Sequence, residues 1–264
     1  GGVDKRRAGG SPFADVAEVL RFDAVAEYGL IDFDATVDFY DRWWAAAQAS
    51  HPHQVVTGGY YKTMISGALR AFGWDLLLTA AADRRGFEHV LDSFFRYSLH
   101  HYQAQAQTDI KVFIAHDDFV WAEGAFLHPA FCRQVLFPRY ARLWQSLRAR
   151  GKKVLFCADA DYSEFIDDLL DTGVDGFVLD PSVPLEPVVE RCGATHVLVG
   201  SKVDCRTLTF GSTDDIRREV DASLALAADC PGFVFAVGNH IPANVPVANA
   251  LFYLEYLRDH WMRA

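Results

Sequence analysis

The chain has 264 residues, 51% of them hydrophobic, with 20 Phe, 10 Tyr and 6 Trp and a formal charge of −10. That is enough apolar material for a substantial core, and the acidic balance argues against nucleic acid or an anionic membrane surface as main partner, since both need concentrated positive charge. No run approaches the ~20 apolar residues of a membrane span, no signal-peptide pattern opens the chain, and five scattered cysteines form no CxxC, so a reducing cytoplasmic setting is expected.

In chain order, the Gly-rich and charged residues 1–12 predict a loose start. The spacing of Val16, Val19, Leu20 and Val25 predicts one helix or two short ones over 13–28, and 34–48 a clearer helix with Thr36 as its N-cap. A short strand at 55–59 runs into a glycine turn. Helices follow at 63–72, stopped by Gly73, and at 84–107, where Phe87, Val90, Leu91, Phe94 and Phe95 share one face. The strand at 111–115 leads to one amphipathic segment over 129–150, with Val135, Leu136, Tyr140, Leu143, Trp144 and Leu147 at three- and four-residue steps, and then to a strand at 153–157. Strand, helix, strand in this sense is a parallel βαβ unit. The alternation continues: helix 163–171, strand 176–179, helix 185–192, strand 196–199, helix 214–228, strand 233–237, helix 247–261. Six strands, with no repeat and no break in composition, predict one parallel α/β domain over 1–264.

Ionisable residues gather just after these strands, where α/β enzymes keep their chemistry. His116, Asp117 and Asp118 follow one strand, and Cys157 and Asp159 end another. Asp117 and Asp118 raise one another's pKa when held close; one is expected to carry chemistry and the other to cap a helix or order a loop. Cys157 and Asp159 lie two apart, so their side chains project to one side, and thiolate and carboxylate are both Zn²⁺ ligands. A small buried cysteine beside a solvated acid is the plainer alternative, and on spacing alone the commoner one. Asp180 lines a pocket or caps a turn. Tyr60 and Tyr61 wall a site or join an aromatic core. Arg206, read as lying in a loop with Cys205, is the best candidate for a substrate carboxylate or phosphate, because its fork suits planar anions. Cys132, Cys192 and Cys230 fall on or beside helices and read as structural.

The succession IAHDDFVWAEGAFLHPAFCRQVLFPRYARLWQSLRARGKKVLFCADAD (114–161) resembles the uroporphyrinogen decarboxylase superfamily, which also contains cobalamin-dependent methyltransferases. Its members carry Asp-Asp after a strand and, beyond a long helix, Lys-Val-x-x-His-x-Asp-Gly. VGSKVDCRTLTFGSTDDIRREV (199–220) and VFAVGNHIPANVPVANALFYLEYLR (234–258) resemble two further segments, the second a closing Gly-His-x-Ile-x-Pro-x-x-Pro-x-Glu-Asn signature. The resemblance spans roughly 55–257 and implies a TIM-type (β/α)8 barrel. Residues before 50 match poorly, which points to a shortened or irregular N-terminal part. It further implies a small substrate at the C-terminal face. The activity is then methyl transfer, with a corrinoid carried by a partner protein, or else decarboxylation or lyase chemistry using Asp117 or Asp118. A non-catalytic ligand-binding barrel is the third reading.

On this reading Asp117, Asp118 and Asp159 are the catalytic candidates, and His116, Tyr60, Asp180, Arg206 and Asn239 the substrate-binding ones. The departures are informative. Cys157 stands where many members have His, and the zinc-holding His-x-Cys of the thiol methyltransferases becomes Cys157-x-Asp159. Gly238 takes the place of their further Cys. If a metal binds, these donor types suit Zn²⁺, with Cys157 and His240 as ligands and Asp159 or Glu123 completing the shell. Most arginines fall on helices, which argues against a polyanionic porphyrinogen as substrate.

Overall fold

Aspartates, glycines and prolines stand at many of the helix boundaries among the described residues. The computed structural model describes residues 12–121, 124–238 and 240–261, so Glu123 and Asn239 lie outside the described residues. The chain divides into two compact units, the first formed by residues 1–119, 126–154 and 171–174 and the second by 120–125, 155–170 and 175–264.

The first unit opens with α1 (Val16–Leu20), α2 (Ala24–Tyr28) and α3 (Phe33–Ser50). Asp15, Asp23 and Asp32 cap them, each side chain accepting from first-turn N–H groups. Thr36, expected as a cap, is inside α3, where its hydroxyl donates back to the Asp32 carbonyl. Strand β1 (Gly58–Tyr60) starts later than expected. Val56 does not enter the sheet, because its carbonyl accepts from Trp44 Nε1 and its N–H donates to Gln48 Oε1, both on α3. Then come α4 (Met64–Phe72), α5 (Trp74–Ala81) and α6 (Arg84–Gln107). The sequence reading missed α5 because Gly73, at φ 77°, ends one helix and begins the next with no polar cap between. On α6 the expected face is buried: Phe87, Val90, Leu91, Phe94 and Phe95 are at most 2% exposed. Strand β2 (Val112–His116) pairs in parallel with β1, Gly59 opposite Ile114. Buried Lys152 donates to the Thr108 and Ile110 carbonyls and so ties the end of α6 to the start of β2.

The segment expected as one helix over 129–150 has three parts: a short turn α7 (Pro129–Phe131), a π-helical turn (Cys132–Leu136) and α8 (Phe137–Arg148). Pro138 explains the middle part. It has no N–H to donate, and its ring clashes with a carbonyl one turn back, so the helix widens by one residue before it.

The second unit contains a two-residue hairpin, β3 (Val120–Trp121) and β4 (Gly124–Ala125). It then holds most of β5 (Lys153–Cys157), a 3₁₀ turn leading into α9 (Ile166–Asp171), β6 (Gly176–Val178), α10 (Leu185–Cys192) and β7 (Val197–Gly200). Next come α11 (Cys205–Phe210), α12 (Thr213–Ala227), β8 (Phe233–Phe235) and α13 (Val247–His260). The sequence reading placed Cys205 and Arg206 in a loop. Six residues give too little periodicity to read, although Asp204 caps them and Gly211 follows them. A full capping box, Ser212 with Asp215, starts α12. Strands β5, β6, β7 and β8 pair in parallel in that sequence, and the six-stranded sheet has the order β1-β2-β5-β6-β7-β8. Cys192 and Cys230 are buried here, as Cys132 is in the first unit. Among the described residues no helix is long and apolar enough to cross a membrane.

Candidate functional site

Strand β2 delivers His116, Asp117 and Asp118 in succession, and their surroundings differ. Asp117 is 1% exposed. Its Oδ1 accepts from the Ser66 N–H at 2.7 Å, and its Oδ2 from the Ile65 N–H at 3.1 Å and the Tyr140 hydroxyl at 2.7 Å. Ile65 and Ser66 are in the first turn of α4, whose own N-cap, Thr63, makes no side-chain capping bond. Asp117 therefore caps α4 from across the unit, where the helix dipole favours a negative charge. Burial still dominates and raises its pKa to about 6, against the lowering by those donors. This is the helix-capping acid of the pair.

Asp118 is half-buried. Its N–H donates to Ser66 Oγ at 2.8 Å, so Ser66 holds both acids, one through its backbone and one through its hydroxyl. The Asp118 Oδ1 lies 3.2 Å from His116 Nε2. The Tyr61 ring lies over the His116 ring, centroids 4.6 Å apart, while two thirds of Tyr61 stays exposed. A carboxylate beside an imidazole orients the ring and favours its protonated form, which is the arrangement of an acid–base pair. Tyr60, next in the chain, points the other way, as alternate strand residues do. It stacks on His101 at 4.7 Å, and burial raises its hydroxyl pKa. It joins the aromatic core. The sequence reading missed Ser66, Ile65 and Tyr140; the only local signal was a Thr63-x-x-Ser66 helix start.

In the second unit, Cys157 is the last residue of β5 and half-buried, and Asp159 is exposed. Ala160 between Asp159 and Asp161 has φ 90°, the one non-glycine residue at positive φ among those described. It occupies the position that Lys-Val-x-x-His-x-Asp-Gly fills with glycine, so the chain holds there a conformation that an L side chain resists. Asp180 accepts from the Ser182 N–H and hydroxyl through one oxygen, ordering its own turn. Arg206 is in the first turn of α11 rather than in a loop, exposed, beside a groove of about 580 Å³ that Phe210 and Arg218 also line. His240 is exposed.

Of the donors expected for zinc, Cys157 is half-buried, Asp159 and His240 are exposed, and Glu123 lies outside the described residues. Among the described residues of this unit, no three His, Cys, Asp or Glu side chains bring ligand atoms together. A cysteine in place of Gly238 is sterically barred, since a Cβ there would lie 2.0 Å from Pro181 Cγ. Cys157, Asp159 and His240 thus do not make a zinc shell by themselves.

The uroporphyrinogen decarboxylase (URO-D) family model matches residues 63–260. Two curated proteins named uroporphyrinogen decarboxylase, from two strains of Thermus thermophilus, are each 28% identical over 175 residues, 66% of this chain and 48% of theirs. The chain spans about half the length of these curated relatives. A solved structure, a methyltransferase from Methanosarcina mazei, matches with a TM-score of 0.67 at 18% identity, covering 86% of this chain and 64% of that one. At that identity the likeness carries the fold alone, α/β of the TIM-barrel type, with six strands found in the sheet here.

Proposed function

This chain belongs to the uroporphyrinogen decarboxylase family, and from that premise we propose that it is a methyltransferase-like enzyme acting on a small substrate at the carboxyl ends of its strands. One observation carries the choice. Among the described residues, no arginine stands within three residues after any strand and the only lysines there are Lys62 and Lys202, the latter paired with Glu186, whereas β2 ends in an imidazole–carboxylate pair. A polycarboxylate tetrapyrrole needs several inward cations, and an acceptor that must lose a proton needs a base. The methyltransferase among the structural neighbours supports the same direction.

In this reading His116 takes the proton from the acceptor's thiol or hydroxyl, and Asp118 orients the ring and balances its charge. Asp117 holds the end of α4 in place, and Tyr61 covers the ring with an apolar face. A corrinoid carried by a partner protein would supply the methyl group. Asp159, Asp180, Arg206 and Asn239 remain substrate-contact candidates. Zinc is tested separately, by elemental analysis of wild type beside Cys157→Ser and His240→Ala; equal content in all three removes these two residues as ligands. We take 1–264 as one cytoplasmic family domain without a nucleic-acid partner.

The deciding experiment measures methyl transfer from methylcobalamin to small thiols. His116→Gln is expected to lower kcat by about 100-fold or more, the usual worth of a positioned base. Asp118→Asn should lower it less and shift the pH profile. Tight, salt-sensitive binding of a polycarboxylate tetrapyrrole, with release of CO₂ and no methyl transfer, would replace this reading with the decarboxylase one.

A further inference from the structure

The first unit holds a second cavity, of about 640 Å³, apart from the end of β2 and lined from α2, α4 and α6. Its floor is aromatic. Phe22 stacks on Phe94 at 5.6 Å, and Phe13 meets Phe22 edge-on at 5.5 Å. On its rim are Lys62, just before α4, and Arg70, two turns along it, both exposed. Neither forms an ion pair among the described residues. Arginines elsewhere on the surface do have carboxylate partners, as Arg96 has Asp23 and Arg191 has Asp167. In a chain of net charge −10, two unpaired cations over an aromatic floor are a local reversal of the surface.

We propose that this cavity binds a planar, aromatic small molecule carrying one carboxylate or sulfonate. Phe22 and Phe94 are buried, and the lining rings that keep exposed surface, Phe13, Tyr28 and Tyr97, offer stacking and edge contacts to a flat apolar body. Lys62 and Arg70 offer charge-assisted hydrogen bonds to its acidic group. Glu27, also on the rim, disfavours a dianion and leaves room for a single negative charge. The chain's own first residues are poor occupants. They carry Lys5, Arg6 and Arg7 against one acid, Asp4, which is the wrong sign for this rim. The inference is independent of the acid–base pair on β2.

The test uses 2-naphthoate and its neutral counterpart 2-naphthalenemethanol, titrated calorimetrically against the full chain. Saturable 2-naphthoate binding is expected, weakened about tenfold or more in Arg70→Gln and in Lys62→Gln, the loss of one charge-assisted contact. Ala71→Trp, which fills the cavity and leaves both cations in place, should abolish it. The neutral compound should bind at least about tenfold more weakly. Melting temperatures establish that each variant is folded. Unchanged affinity in folded Arg70→Gln and Ala71→Trp, equal binding of the neutral compound, or no saturable binding to the wild type would each overturn the proposal.

Discussion

Asp117 at the end of β2 and Asp180 after β6 have the same chemistry in opposite surroundings. Asp117 is sealed in, with three donors converging on it from α4 and α8. Asp180, after β6, instead accepts through its side chain from the Ser182 N–H and hydroxyl, two residues on. What separates them is whether distant segments close over the strand end. Where they do, a carboxylate becomes part of the framework and its neighbour is held in a fixed position. Where they do not, as at Asp180, it orders a local turn and leaves its energetics to water.

The largest effect expected from this contrast is on stability. Asp117→Ala strands two N–H groups and a hydroxyl and should cost about 2–4 kcal/mol, while Asp180→Ala should cost less than about 1 kcal/mol. Urea denaturation midpoints measure both, and equal losses would break the comparison. A pH effect comes next. The Asp117 pKa is about 6 when folded, above the unfolded value of ~3.9. The folded state therefore prefers the protonated acid, so this residue's contribution falls as pH rises from about 4 to about 6 and is level above that. Wild type should lose stability across that window relative to Asp117→Asn, and parallel curves would show that burial is not the dominant cause. Tyr140→Phe sharpens the same point. It removes a donor that lowers the Asp117 pKa, so the upper end of the window should move to higher pH while its lower end stays near ~4, with a stability loss of about 1–2 kcal/mol above it. The smallest effect lies in the second unit: Ala160→Gly should gain about 1 kcal/mol by relieving the positive φ, read as a rise in melting temperature. A loss there would mean that the alanine methyl makes contacts worth more than the strain.

The same contrast decides what could be read from the chain. Helix α6 was legible from end to end because 24 residues of period 3.6 average out noise and Asp83 caps its start. Strands β2, β5, β6 and β7 were legible because buried parallel strands are continuous apolar runs, whereas β1, Gly-Gly-Tyr, was read only through the apolar residues before it. Helices α5 and α11 were not, being short and bounded by a shared glycine in one case and a lone aspartate in the other. At the site, the residue types were visible but their roles were not. Nothing near Asp117 in sequence distinguishes it from Asp118; the difference comes from Ser66, 51 positions before it, and Tyr140, 23 after it. Tyr60 and Tyr61 likewise take opposite roles through a one-residue strand phase that a short run of apolar residues does not fix.

The π turn before Pro138 has a consequence for how this chain tolerates deletion. It holds a surplus residue, taken up without moving either flank, so the path from Pro129 to Tyr140 has slack that a plain α-helix lacks. Removing Arg133, exposed on that turn, lets the wide loop tighten to α-helical pitch while Tyr140 keeps its grip on Asp117. The same one-residue loss within α8 turns every later side chain by about 100° and pulls Trp144 and Leu147 out of the core. Chains shortened at 132–136 should stay folded by circular dichroism, and chains shortened at 141–147 should not.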